Sequence, residues 1–149
     1  MAQKTVELEM VAQDGETIVM EGDPGSDMFI IQDGEVTVSR VINGHEVVVA
    51  TLGKGSFFGE MSLLESHPRI ATVRAVGKTK LLVLKRGGLL LKIRRDPTFA
   101  LEMLQNMSSR LRYISQQLSD LLASEEVSVE KLSSLVASAE IESLKETET

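Results

Sequence analysis

The feature that most constrains this sequence is a change of hydrophobic period on either side of Gly87-Gly88. Before it, apolar residues alternate. Val6, Leu8 and Met10 interleave with Glu7 and Glu9, the period-two signature of a half-buried strand. Thr17–Met20, Met28–Gln32, Glu35–Val41, Val47–Val49, Ala71–Val76 and Lys80–Leu84 read as further short strands. Turn chemistry separates them at Asp14-Gly15, in the loop Glu21–Asp27 (EGDPGSD) and at Asp33-Gly34. Asn43-Gly44 is the strongest hairpin signal, because a two-residue type I′ turn needs positive φ at both central positions. After Gly87-Gly88, a short helix over Leu89–Arg94 and a helix start at Asp96-Pro97 are expected. Leu104, Met107, Leu111, Ile114, Leu118 and Leu121 then recur at spacings of 3, 4, 3, 4 and 3, a heptad seam. Many short strands with glycine turns, followed by helix, predict a mainly β fold of the barrel or jelly-roll type carrying C-terminal helices.

Several function classes are excluded at this level. The chain has 149 residues, enough for one sizeable core, and a net charge of −6, which argues against a nucleic-acid partner held by a basic surface. Without cysteine there is no disulfide frame, zinc–thiolate site or thiol switch. His45 and His67 are the only histidines, too few and too isolated for a metal cluster, and no nucleophile–base pairing is evident, so no enzyme is expected. The segment MAQKTVELEM lacks the apolar core of a secretory signal, and no apolar run approaches ~20 residues. A soluble, cytoplasmic protein with no membrane partner is the expectation.

The chemistry concentrates in residues 57–75, FFGEMSLLESHPRIATVRA. Gly59 can adopt backbone angles closed to other residues and lets a ligand approach the main chain. Glu60–Leu64 reads as a single helical turn whose first amides have no intrahelical partner. Arg69 can offer a planar fork of donors to a phosphate. Glu60 can only accept, which suits a sugar hydroxyl. The bland alternatives are a surface ion pair for Arg69 and a helix-terminal acid for Glu60.

This stretch resembles the phosphate-binding cassette of cyclic nucleotide-binding domains, the type found in catabolite activators and kinase regulatory subunits. GEMSLL is similar to the first half of the cassette and HPRIATV to the second, with the spacing from Glu60 to Arg69 kept. The resemblance runs from about Val11 to Leu122. It implies an eight-stranded jelly-roll β-barrel followed by a long helix. Glu60 would hold the ribose 2′-hydroxyl and Arg69 the exocyclic phosphate oxygens, assisted by main-chain amides near Gly59, Met61, Ser62 and Ala71. Ile70 stands where cyclic GMP-selective relatives often carry threonine, so cyclic AMP is the expected ligand and cyclic GMP the alternative. Gly22, Gly25 and Gly34 match glycines of the family's turns and are read as backbone-geometry residues. Tyr113, with Arg112 and Ser115 as lesser candidates, is the helix residue considered for covering the base.

The resulting organisation is a barrel with its cassette and short helix over 1–95, a dimerising and responding helix over 96–123, and an acidic Ser/Glu-rich tail, partly helical or disordered, over 124–149. Relative to the family, a helix ahead of the barrel and a DNA-reading domain are not found in this sequence. A helix over Pro97–Leu122 would be about 39 Å long, against ~31 Å for a unit of roughly 90 residues. Part of the leucine row would overhang, and a homodimer through it is expected. Ligand binding would order the cassette and move the helix, to be read by a sister subunit or another protein. The alternative is a degenerate, non-sensing domain that serves as a dimerising scaffold.

Overall fold

The computed structural model describes residues 7–124, 130 and 133–139. Most of the tail expected over 124–149, and the first residues of the chain, lie outside the described residues. The chain forms two compact units, Met1–Glu102 and Met103–Thr149.

The first unit is built on strands β1 (Glu7–Ala12), β2 (Thr17–Val19), β3 (Met28–Ile42), β4 (His45–Gly53), β5 (Phe57–Phe58) and β6 (Thr72–Leu84), with helices α1 (Glu60–Glu65) and α2 (Arg86–Arg95). All strand pairings are antiparallel. The sheet runs β1-β6-β3-β4, with β2 added to β6 and β5 to β3. The fold is therefore mainly β with C-terminal helices, as expected. The sheet is open and six-stranded among the described residues, not a closed eight-stranded barrel.

The count differs because two glycines bend strands at points whose composition suits a chain reversal. β3 continues through Asp33-Gly34, with register shifts against β6 between Ile31 and Asp33 and between Asp33 and Glu35. Gly34 has φ 91, and a Cβ there would lie 2.8 Å from the Lys78 carbonyl oxygen and from Thr79 Oγ1, so only glycine fits this bend. β6 likewise runs through Gly77 and joins the expected strands Ala71–Val76 and Lys80–Leu84 into one. Thr79, fully buried beside the bend, donates through Oγ1 to the Glu35 carbonyl at 3.0 Å.

The bends bring both halves of β3 and β6 onto one core of Phe29, Ile31, Val36, Phe58, Val73 and Leu81. Phe29 and Phe58 stack with ring centroids 4.9 Å apart. The Asn43-Gly44 hairpin forms as expected, with φ of 52 and 79 at its two central residues and Ile42 opposite His45. Gly87-Gly88 does not break the chain but lies in the first turn of α2.

Helix α3 (Pro97–Ser124) begins at Asp96, whose Oδ1 accepts the Thr98 N–H at 3.2 Å. In the second unit Leu104, Met107, Leu111, Ile114, Leu118 and Leu121 form a row of side chains 36–67% exposed. Among the described residues no helix is long and apolar enough to cross a membrane.

Candidate functional site

Gly59 couples β5 to α1. It adopts the left-handed conformation, φ 84, and its carbonyl accepts the Leu63 N–H at 3.3 Å to open the helix. A Cβ on Gly59 would come within 2.8 Å of the Asp27 carbonyl oxygen and 2.9 Å of Arg69 Nη1. Glu60 is the first helical residue, where an acid suits the helix dipole. Ser62 and Leu63 face the core, while Met61 and Leu64 are exposed. Ser66, in the left-handed region at φ 55, ends the helix and turns the chain toward Pro68. His67 sits on an exposed loop, its Nδ1 2.7 Å from the Pro68 carbonyl oxygen.

Arg69 is held at its main chain and at its tip although it carries a charge. Its main chain is stitched to the loop Glu21–Asp27: Arg69 N–H donates to the Asp23 carbonyl at 2.9 Å, and Gly22 N–H donates to the Arg69 carbonyl at 2.7 Å. Further along, at the start of β6, Thr72 Oγ1 accepts the Glu21 N–H at 3.0 Å. Arg69 as a residue is only 8% exposed. Nη1 donates to the Asp27 carbonyl at 2.7 Å, and Cζ lies 5.7 Å from the Phe29 ring centroid, a cation–π distance. Burial pushes the guanidinium pKa below its ordinary value, and the Asp27 carboxylate opposes that shift. Asp27 is itself paired with Lys85 at 3.4 Å.

The guanidinium borders an open cavity of about 540 Å³ whose walls include Ile18, Val19, Met20, the turn Asp23–Asp27 and Phe29. Thr17 and Lys85 complete its lining. Of the site residues expected from the sequence, Arg69 alone lines this cavity. Gly59 lies close to Arg69 Nη1 but does not line the cavity. Glu60 and Met61 head the neighbouring helix, Ser62 and Ala71 are buried, and Ile70 is 38% exposed. Tyr113 is 64% exposed on α3 in the second unit.

Two partners of Arg69 do not stand out in the sequence. Phe29 reads as an ordinary strand residue, and Gly25 as one more turn glycine. Gly22 and Gly34 do have positive φ, but Gly25 does not. Its reason is contact: a Cβ there would stand 2.6 Å from Arg69 Nη2 and 2.7 Å from Nε. A glycine that follows proline in a polar loop gives no local sign of such a neighbour.

Beyond the arginine, a polar network fixes the start of β6. Ser39 Oγ, almost fully buried, donates to Glu46 Oε1 at 2.7 Å, and Arg74 pairs with the same oxygen. The hydrogen bonds from Arg74 and then Ser39 lower the Glu46 pKa. Among the described residues no buried side-chain polar atom lacks a partner, and no group of three His, Cys, Asp or Glu side chains could hold a metal ion.

The likeness to known proteins is specific. The family profile of the cyclic nucleotide-binding domain matches residues 9–96. The cyclic AMP receptor protein of Thermus thermophilus is 40% identical over 113 residues, which cover 75% of this chain and 52% of that protein. The crystal structure of the Thermus thermophilus catabolite activator protein superposes with a TM-score of 0.69 at 36% identity, covering 79% of this chain and 55% of that one. The regulatory domain of Toxoplasma gondii PKA, crystallised with cAMP, superposes with a TM-score of 0.55 at 36% identity over 58% of this chain and 33% of that one. These relatives are named as a receptor protein, an activator protein and a regulatory domain. This chain spans about half the length of the curated receptor it matches.

Proposed function

This chain belongs to the cyclic nucleotide-binding domain family, and from that premise we propose that it is a regulatory sensor for cyclic AMP. The observation that carries the reading is Arg69: a residue only 8% exposed whose guanidinium is set against Gly25, Gly59 and the Phe29 ring beside an open cavity. Its direct contacts are a carbonyl and a ring, and the Asp27 carboxylate, itself paired with Lys85, acts on it only through space. A buried arginine so placed is costly unless an anion completes its donors, and a cyclic phosphate has the right charge and geometry. In this proposal Arg69 pairs with the exocyclic phosphate oxygens and Glu60 accepts the ribose 2′-hydroxyl. Main-chain amides around Gly59, Met61, Ser62 and Ala71 complete the cradle, and Ile70 faces the base side.

Occupancy is then read out through the helix. Ligand ordering of the cassette repacks its exposed Met61 and Leu64, and α3 responds as a population shift that favours the ligand's better-bound state. The exposed row on α3 supports a homodimer, with a sister subunit or a further protein as the receiver. The same row also suits a second reading, a dimerising scaffold that does not sense.

Calorimetric titration of the purified protein with cyclic AMP, cyclic GMP and cyclic dinucleotides separates the two. Saturable binding of cyclic AMP supports the sensor, and no heat with any of the three supports the scaffold. Glu60→Ala should cost about 1.5–3 kcal/mol of cyclic AMP affinity, the worth of a hydrogen bond to a charged group. It should weaken the 2′-deoxy analogue much less.

A further inference from the structure

Gly25 is glycine because of a neighbouring side chain and not because of its own backbone. Its φ lies outside the left-handed region that glycine favours, so an L-residue could take its conformation. What stands in the way is Arg69. A Cβ at position 25 would lie 2.6 Å from Nη2, 2.7 Å from Nε and 2.9 Å from Cζ, closer than any real contact. Every one of these atoms belongs to the tip of a flexible side chain, whereas the obstacle at Gly59 includes the Asp27 main-chain oxygen.

The loop carrying Gly25 is tied down just before that residue, which limits its retreat. It is bonded to the cassette strand at both ends of the arginine's main chain, through Gly22 N–H to the Arg69 carbonyl and Arg69 N–H to the Asp23 carbonyl. Glu21 N–H adds a third tie at Thr72 Oγ1. A methyl group added at position 25 is therefore relieved by movement of the guanidinium. That movement would carry Nη1 away from the Asp27 carbonyl, now 2.7 Å distant, and Cζ off the Phe29 ring.

We infer that Gly25 is the positioning residue of the arginine. It forms the floor that sets how deeply the guanidinium sits, and hence where its remaining donors meet an anionic ligand. The inference rests on the cyclic nucleotide reading for its functional consequence, but its geometric core does not.

The test uses the whole chain with Gly25→Ala, Arg69→Ala and the double variant. Gly25→Ala should fold, shift the Arg69 Nε–H resonance in the ligand-free protein, and lower cyclic AMP affinity by roughly tenfold or more, part of the loss from removing a buried charged partner. In the Arg69→Ala background the clash is gone. There the same substitution should raise Tm by about 2–5 °C, the usual benefit of replacing a glycine at a compatible backbone position. An unmoved Nε–H resonance with affinity within about twofold of wild type overturns the inference, since so small a change reports no displacement. Failure to fold in both backgrounds also overturns it, by making Gly25 a backbone requirement, whereas failure rescued by Arg69→Ala supports it. If the unaltered protein binds no cyclic nucleotide, the functional reading fails, and the resonance and the Tm pair still decide the role of Gly25.

Discussion

Arg69 and Asp27 stand 42 positions apart in the chain, yet Arg69 Nη1 donates to the Asp27 carbonyl oxygen across 2.7 Å. The bond ties the cassette's buried cation to the main chain of a neighbouring loop. It also occupies one edge of the guanidinium and leaves the other donors to be met elsewhere.

Arg69→Ala should therefore remove most of the affinity for cyclic AMP. Truncating one partner of a buried charged pair costs ~2–5 kcal/mol, or roughly 30- to several-thousand-fold in Kd. Arg69→Lys should also be costly, because an ammonium cannot reach the Asp27 carbonyl and a phosphate with a planar fork. Calorimetry on the three proteins checks this, and near-wild-type binding by Arg69→Ala would rule out the phosphate role.

Gly59→Ala should damage the fold itself. The position has φ 84, and the added Cβ would meet the Asp27 main-chain oxygen at 2.8 Å. Left-handed strain and a backbone clash together should cost about 2–4 kcal/mol. Gly15, at φ 77, has open space within 4 Å of where a Cβ would stand. Gly15→Ala should thus cost only ~1 kcal/mol, from backbone strain alone. Urea unfolding of both variants gives the comparison, and equal losses would contradict it.

Glu46 should make part of the protein's stability depend on pH. Its folded pKa is held below the ordinary 4.5 by Arg74 first and Ser39 second. A carboxyl depressed on folding stabilises the folded state above its unfolded pKa, and that contribution disappears as pH falls through the folded value. Wild type should exceed Glu46→Gln in Tm at neutral pH, and the two should converge in acid below the ordinary carboxylate range. A difference that persists or grows in acid would refute the assignment.

Ile70→Thr should raise affinity for cyclic GMP more than for cyclic AMP. Ile70 follows the cassette arginine and is 38% exposed, so a hydroxyl there is open to a ligand. Isoleucine offers no hydrogen bond and would leave a buried guanine amino group unpaired. Competition binding against both nucleotides reads the ratio. A wild-type preference for cyclic GMP would remove the basis for choosing cyclic AMP.

Leu111→Glu should convert a dimer into monomers while leaving the sheet intact. Leu111 is 67% exposed in the middle of the α3 row. Two copies facing each other there would bring like charges together across an apolar seam. Light scattering on a size-exclusion column measures the mass. A wild-type protein that is monomeric at tens of micromolar would end the dimer proposal.

Local chemistry is what the sequence makes legible. Asn43-Gly44 announces its hairpin because the positive φ values it needs are encoded in two adjacent residues. The turn of helix after Gly59 and the cap at Asp96 are equally short-range. Asp33-Gly34 misleads for the same reason: its composition suits a turn, but Lys78 and Thr79 close on Gly34 and hold it as a bend within a strand. Arg69 is recognisable from the contiguous cassette. Its surroundings are not, because Gly25, Asp27 and Phe29 come from a different part of the chain and are joined to it only by folding.

The pairing of β1 with β6, Glu7 opposite Leu84, also fixes an order of events. The β3–β4 hairpin can close within microseconds once Gly53 exists, since its two strands are neighbours in the chain. β1 has no partner until the far end of β6 has been made, so during synthesis it waits while nearly the whole sheet emerges. Closing so long a loop is slow, and an unpaired strand edge is open to pairing with other chains meanwhile. β1 is thus secured only after β6 is complete, and the yield of folded protein should depend on how quickly translation carries the chain past Leu84.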